Sequence, residues 1–273
     1  MVAVTARLAS IAVYPVKACR ATPLAEVGLG AHGLAGDREW MVVRPDGRFL
    51  SQRTHPALAR IQATGTAAGL RLACGDADPL EVDASAAQGG APCEVAVWDD
   101  RLAATDAGEA AAAWLARAID APARLVRVAA VHARRASRDW VGERDVPVAF
   151  ADGFPVLVCS STSLAELNRR LPAAVPMDRF RPNLVIDGLA PFAEDGIRRM
   201  TIGAVTLDLV KPCTRCSVPG IDQLTGVAST DPFPALRAFR WDAALRGATF
   251  GVNAVATGPA GARLGVGMPV DVA

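Results

Sequence analysis

The chain has 273 residues, 29 Lys and Arg against 28 Asp and Glu, a formal net charge of +1, and 51% hydrophobic residues. This is the composition of a globular chain, long enough for one large domain or two modest ones, and it excludes an intrinsically disordered protein. Without a basic excess a nucleic-acid partner is disfavoured, and no apolar run approaches the ~18 residues of a membrane span.

The first 105 residues read as short strands broken by turns. Residues 9–14 are apolar and end at Pro15. Residues 39–44 run into Pro45-Asp46-Gly47, where Pro presets a bend and Gly tolerates positive φ, so 48–52 should return as a hairpin. Further strand-like runs cover 58–63, 70–74, 80–82 and 94–98, a spacing that suggests a sandwich or barrel. Asp106-x-x-Glu109 is a capping signal for a helix over 110–119, with Trp114, Leu115, Ala118 and Ile119 on one face. A domain boundary is expected at Asp120-Ala121-Pro122, giving an N-terminal domain over 1–120 and a second over 121–273. The polar segment 132–144 reads as a solvated loop. Ser163-x-x-Glu166 reads as a capping box opening a helix over 164–171, which Pro172 closes. Residues 205–210 form a strand, 234–245 a helix with Pro234 in its first turn, and 248–272 strand, loop and strand.

Six scattered cysteines are too sparse for a disulfide scaffold and suit a reducing cytoplasm, the expected location. Cys213-Thr214-Arg215-Cys216 follows the 205–210 strand. Thiols at this spacing can reach one metal, act as a dithiol, or stay inert, and no second ligand pair for a structural zinc exists. Only two basic residues are Lys, Lys17 and Lys211, and the single tyrosine, Tyr14, stands three positions before Lys17. Tyr14-Pro15-Val16-Lys17 ends a strand and places a cation at a sheet rim, while Gly36-Asp37-Arg38 presents a guanidinium fork suited to phosphate or carboxylate. In Arg179-Phe180-Arg181-Pro182-Asn183, alternate residues of an extended segment would share one side.

These four segments, in this order and with Gly33-Leu34-Ala35-Gly36-Asp37-Arg38 as the second, resemble the molybdenum-cofactor sulfurase C-terminal (MOSC) domain family. The closer similarity is to the subgroup with an N-terminal MOSC β-barrel domain. That subgroup includes mitochondrial amidoxime-reducing components and bacterial reductases of N-hydroxylated bases. The resemblance implies a mainly β, barrel-rich fold with a few helices: an N-terminal MOSC-type β domain followed by a MOSC β-barrel domain. It implies a molybdenum cofactor (Mo-molybdopterin) held through one protein thiolate, which is Cys216, the metal ligand and catalytic centre; Cys213 is then structural or auxiliary. Lys17, Arg38 and Arg181 match residues that hold the cofactor's phosphate and pterin, and Asn183 matches a pterin-contacting amide. Thr214 and Arg215 match further contacts, and Gly153 and Phe154 a turn lining the pocket. Ala18 stands where the animal enzymes often carry a hydroxyl, which puts one hydrogen bond in doubt.

The implied reaction is reduction of a small N-hydroxylated substrate, N–OH to N–H. The chain has no Cys-x₄-Cys-x₂-Cys spacing for a plant-type iron–sulfur cluster, and the mitochondrial targeting and anchor segment of the animal enzymes is not expected here. The electron donor is therefore expected to be a separate protein, ferredoxin-like or a flavin reductase, with no membrane or nucleic acid involved. Two alternatives remain beside this reading: a non-catalytic carrier or sulfur-transfer module for the cofactor, and a small-molecule-binding barrel with an inert cysteine pair.

Overall fold

The computed structural model describes residues 6–129 and 134–273, and the chain is mainly β, as expected. The largest sheet has nine strands. Its order runs Asp271–Val272, Arg199–Ile202, Val205–Thr214, Gly247–Thr257, Val156–Ser160, Leu184–Asp187, Arg7–Val13, Thr22–Leu24, with Trp241–Asp242 paired off this path to Gly247–Thr257. Its pairings are antiparallel except that of Val156–Ser160 with Leu184–Asp187. A parallel pair needs a crossover, and the helix Ser161–Asn168 supplies it. A five-stranded sheet runs Pro92–Val97, Asp100–Asp106, Arg124–Val128, Trp40–Val43, Val16–Lys17. Two three-stranded sheets complete the β structure.

The sheets interleave across the boundary expected near residue 120. Arg7–Val13 pairs with Leu184–Asp187, and Leu8, Ile11 and Val13 share one core with Val158, Ile186, Leu207 and Ala254. After Tyr14 and Pro15 the chain crosses to the five-stranded sheet, where Val16 joins the core of Trp40, Leu115 and Leu125. Lys17 therefore sits at the seam between two cores. Among the described residues, no helix is long and apolar enough to cross a membrane.

Several local expectations are corrected. Residues 58–63 are not one strand: Pro56 opens a 3₁₀ turn, Pro56–Arg60, before the strand Gln62–Gly65. Asp106 does not close a reciprocal capping box. Its carboxylate accepts from the Gly108 N–H at 2.7 Å and from Arg124, tying the helix Glu109–Ile119 to the next strand. Ser163 lies inside its helix and donates to Glu194 at 2.8 Å instead of capping. The third helix is Phe233–Phe239, shorter than expected, because Trp241 enters a strand. In the 132–144 segment, residues 132 and 133 lie outside the described residues, but Arg134 is buried and donates to the carbonyls of Ala149 (3.0 Å) and Asp152 (2.6 Å). The predicted turn at Pro45-Asp46-Gly47 forms, with Leu50 N–H returning to the Val42 carbonyl at 2.9 Å.

Gly251 lies mid-strand in Gly247–Thr257 at φ 75°, and an added Cβ would stand 2.5 Å from Cys159 Sγ. Gly251→Ala is expected to destabilise by about 2–4 kcal/mol, combining backbone strain with overpacking. At Gly261 (φ 80°) nothing lies within 4 Å of an added Cβ, so strain acts alone; there Ala should cost about 1 kcal/mol. Urea unfolding of both variants checks the difference.

Candidate functional site

The site forms where the two main sheets meet. Tyr14 is buried at this seam, its hydroxyl donating to the Pro182 carbonyl at 3.1 Å and its N–H to Asp37 Oδ1 at 2.8 Å. Burial pushes its phenol well above the ordinary range, so it stays neutral. The guanidinium of Arg38 lies 4.3 Å from the Tyr14 ring centroid and that of Arg181 4.2 Å, so one ring carries two cations. Arg38 donates to Asp37 Oδ2 at 2.5 Å and to Asn183 Oδ1 at 2.8 Å. Asn183 also accepts from Leu157 N–H (3.0 Å) and donates to the Ala12 carbonyl (3.1 Å), which fixes its amide. Arg181 donates to Gln223 Oε1 at 3.1 Å, and Gln223 forms a reciprocal amide pair with Gln52, both bonds 2.9 Å.

Lys17 is 6% exposed and donates to the Phe150 carbonyl at 2.8 Å and to Asp152 Oδ1 at 2.5 Å. Burial lowers its pKa, partly offset by Asp152. The Lys17 ammonium, by charge and hydrogen bond, holds the Asp152 carboxyl below the usual carboxylate range. Its side chain is 74% exposed, a group on the open side of the site.

At the other end, the strand Val205–Thr214 delivers Cys213 and Thr214, and the chain then leaves the strand through Arg215 and Cys216. Cys213 is half-buried against Phe180 and Phe250 and accepts from Arg215 Nη1 at 3.0 Å. Arg215 also donates to the Phe180 carbonyl at 2.8 Å, while its buried Nε has no hydrogen-bond partner. Cys216 is exposed. The two thiols therefore differ in exposure: Cys213 is half-buried and packs on the core, Cys216 is exposed, and both line the same cavity.

A cavity of about 180 Å³ joins these groups. Lys17, Ala18, Arg38, Gly153, Phe154, Arg181, Asn183, Thr214, Arg215 and Cys216 all line it. Five cations line it, Lys17, Arg38, Arg53, Arg181 and Arg215, against Asp152 in the wall and Asp37 behind Arg38, so it favours an anion. Four of the seven described non-glycine residues with positive φ are in its wall: Ala18 (68°), Arg38 (50°), Trp98 (56°) and Arg181 (57°). Such conformations cost about 1–3 kcal/mol each and persist only where surrounding contacts impose them. Here Arg38 N–H bonds the Tyr14 carbonyl at 2.8 Å and Arg181 N–H that of Asp178 at 3.0 Å. Among the described residues no three His, Cys, Asp or Glu side chains group to hold a metal ion.

Arg179 does not share the side of Arg181. Met177–Phe180 is a 3₁₀ turn rather than an extended segment, so Arg179 is buried elsewhere, donating to Pro219, Asp222 and Ser229. Lys211 does not line the cavity either; its ammonium lies 5.1 Å from the Trp140 ring centroid. Sequence reasoning missed Asp152, Gln52, Phe49 and Trp98, and assigned no role to Asp37. Asp37 and Asp152 directly precede residues that it did single out, Arg38 and Gly153.

Residues 5–122 match the MOSC N-terminal beta barrel domain and residues 145–271 match the MOSC domain. Mitochondrial amidoxime-reducing component 1 of Homo sapiens is 32% identical over 242 residues, 85% of this chain and 72% of that protein. Mitochondrial amidoxime reducing component 2 of Homo sapiens is 30% identical over 241 residues, again 85% and 72%. Molybdenum cofactor sulfurase of Danio rerio is 30% identical over 250 residues, 84% of this chain and 30% of that protein. With both domain types matched in order and the similarity running through most of its length, the chain belongs to the MOSC-domain family, in the group that joins an N-terminal MOSC β-barrel domain to a MOSC domain.

Proposed function

We propose that this cavity binds molybdenum cofactor and that the protein reduces small N-hydroxylated compounds with electrons from a separate donor protein. The observation that carries the reading is a single exposed thiol, Cys216, sharing one cavity with Lys17, Arg38, Arg181 and Arg215. The donor set suits a phosphate-bearing pterin with a thiophilic metal. The cations match a phosphate, the Asn183 amide and the unpartnered Arg215 Nε offer polar contacts, and Cys216 offers a soft ligand. No multi-residue metal cluster surrounds Cys216 among the described residues, so the metal would arrive with most of its ligands. The name of the amidoxime-reducing relatives supports the reduction, and that of the cofactor sulfurase supports the cofactor.

In this reading Cys216 ligates the metal. Lys17, Arg38 and Arg181 hold the phosphate and pterin. Asn183, Thr214 and Arg215 complete the polar contacts, with Ala18, Gly153 and Phe154 shaping the wall. Ala18 has no hydroxyl and its carbonyl is taken by Gln52 at 2.7 Å, so its own side chain supplies no polar contact. The bound group supplies two-electron redox chemistry at the metal. The substrate N–O bond breaks, two electrons come from the donor, and with two protons the oxygen leaves as water while N–H remains. A cytoplasmic setting belongs to the same proposal, since all six cysteines are free thiols, a state preserved by a reducing compartment. A carrier or sulfur-transfer role is favoured by the exposure of Cys216 and by the name of the cofactor-sulfurase relative, and turnover separates it from the reductase.

Cys216→Ala should lower donor-driven benzamidoxime reduction at least 100-fold (on the order of a lost metal ligand), whereas Cys213→Ala should stay within about threefold because that thiol, though it lines the cavity, is half-buried and already engaged by Arg215. Elemental analysis for molybdenum accompanies the assay. Equal loss in both variants overturns the assignment, and bound metal without any turnover in the unmodified protein supports the carrier.

Tyr14→Leu removes the ring beneath two cations and should reduce molybdenum content about tenfold or more under limiting cofactor. Tyr14→Phe keeps the ring, should keep the metal, and should lose about 1 kcal/mol of stability with the Pro182 hydrogen bond. Metal content and thermal unfolding read the two effects separately.

A further inference from the structure

We propose that Trp98 is the wall of a substrate subsite that stacks a neutral, planar aromatic ring bearing the N–OH group. This deepens the reductase reading and rests on it for the kinetic part of its test.

Trp98 occupies the turn between the strands Pro92–Val97 and Asp100–Asp106, where Val97 pairs with Asp100. Turns this tight favour Asn, Asp or Gly at positive φ. Trp98 takes φ 56° all the same, and its side chain stays 47% exposed. Neither folding of the hairpin nor burial of the indole accounts for a bulky aromatic there. What the position achieves is placement: the strained turn sets the indole at the wall of the cavity that also contains Cys216.

The indole is held, not loose. Phe49 meets it edge-on, with ring centroids 5.0 Å apart at 68°, and the Arg53 guanidinium lies 4.7 Å from the indole ring centroid. Phe49 in turn lies 5.2 Å from Lys17 Nζ. An aromatic wall thus runs from the buried Lys17 to the exposed Trp98, all of it from the N-terminal half, while Cys216 comes from the C-terminal half. A flat ring laid on this wall would share one cavity with the Cys216 thiol. The fixed charge of Arg53 beside the indole disfavours a cationic ring, and a small aliphatic compound gains nothing from stacking.

The test compares benzamidoxime with acetamidoxime, which share the reacting group and differ in the ring, using molybdenum-loaded protein and a donor system. Trp98→Ala should raise KM for benzamidoxime about tenfold, change kcat less than about twofold, and leave acetamidoxime kinetics nearly unaltered. Trp98→Phe should restore most of the benzamidoxime KM. Molybdenum content should be unchanged in both variants. An unchanged KM, a parallel rise for both substrates, or loss of metal from Trp98→Ala overturns the proposal. Calorimetric titration with benzamidoxime in the absence of donor separates the two readings. Tight binding that Trp98→Ala weakens tenfold, without turnover by the unmodified protein, sustains the subsite and removes the reductase. Normal turnover with binding unaffected by Trp98→Ala does the reverse.

Discussion

Lys17, Arg38, Arg181 and Arg215 must be kept close together in a largely buried seam, and the surrounding structure is organised around that electrostatic problem. Buried like charges repel and lose hydration, so each needs a partner. Lys17 is met by the Phe150 carbonyl and by Asp152, Arg38 by Asp37 and Asn183, Arg215 by the Phe180 carbonyl and the Cys213 sulfur. The face of Tyr14 serves Arg38 and Arg181 together, through its quadrupole rather than a charge. Full neutralisation would leave nothing for an anion. Using an aromatic face, amides and carbonyls alongside only two carboxylates leaves the cavity positive.

The interleaved topology follows from the same requirement. Val13 and Val16 are three residues apart, yet they belong to different sheets because the chain crosses between cores at Tyr14 and Pro15. That crossing brings a strand end of one core against the Val205–Thr214 strand end and the Met177–Phe180 turn of the other. The left-handed backbone at Ala18, Arg38 and Arg181 then turns three segments toward one point. Four of the seven described non-glycine residues with positive φ gather here together with the buried charge.

What was legible in the sequence was whatever depends on local order. The apolar run before Pro15, the Pro45-Asp46-Gly47 turn and the strand before Cys213 all form. The ten residues singled out by motif order line one cavity, and family membership follows from the same segments. What was not legible depends on contacts distant in the chain. Asp106 accepts from Arg124 on the next strand and from the Gly108 N–H, and Gly108 takes the N-cap position. Arg134 looked solvated in a polar segment but is enclosed by the carbonyls of 149–152. Arg179 and Arg181 appeared paired on one side until the 3₁₀ turn separated them. Trp98 carries no local signal, since nothing near it in sequence says that its hairpin reaches the cavity.

The Gln52–Gln223 pair reaches furthest beyond its immediate contacts. It ties the chain following Cys216 to the N-terminal half, and Arg181 joins it through Gln223 Oε1. Neither glutamine amide gains or loses a proton in water at ordinary pH. The clasp over this charged site is therefore blind to acidity. The two halves keep the same register on each other while the ionisable groups they enclose respond to whatever occupies the space between them.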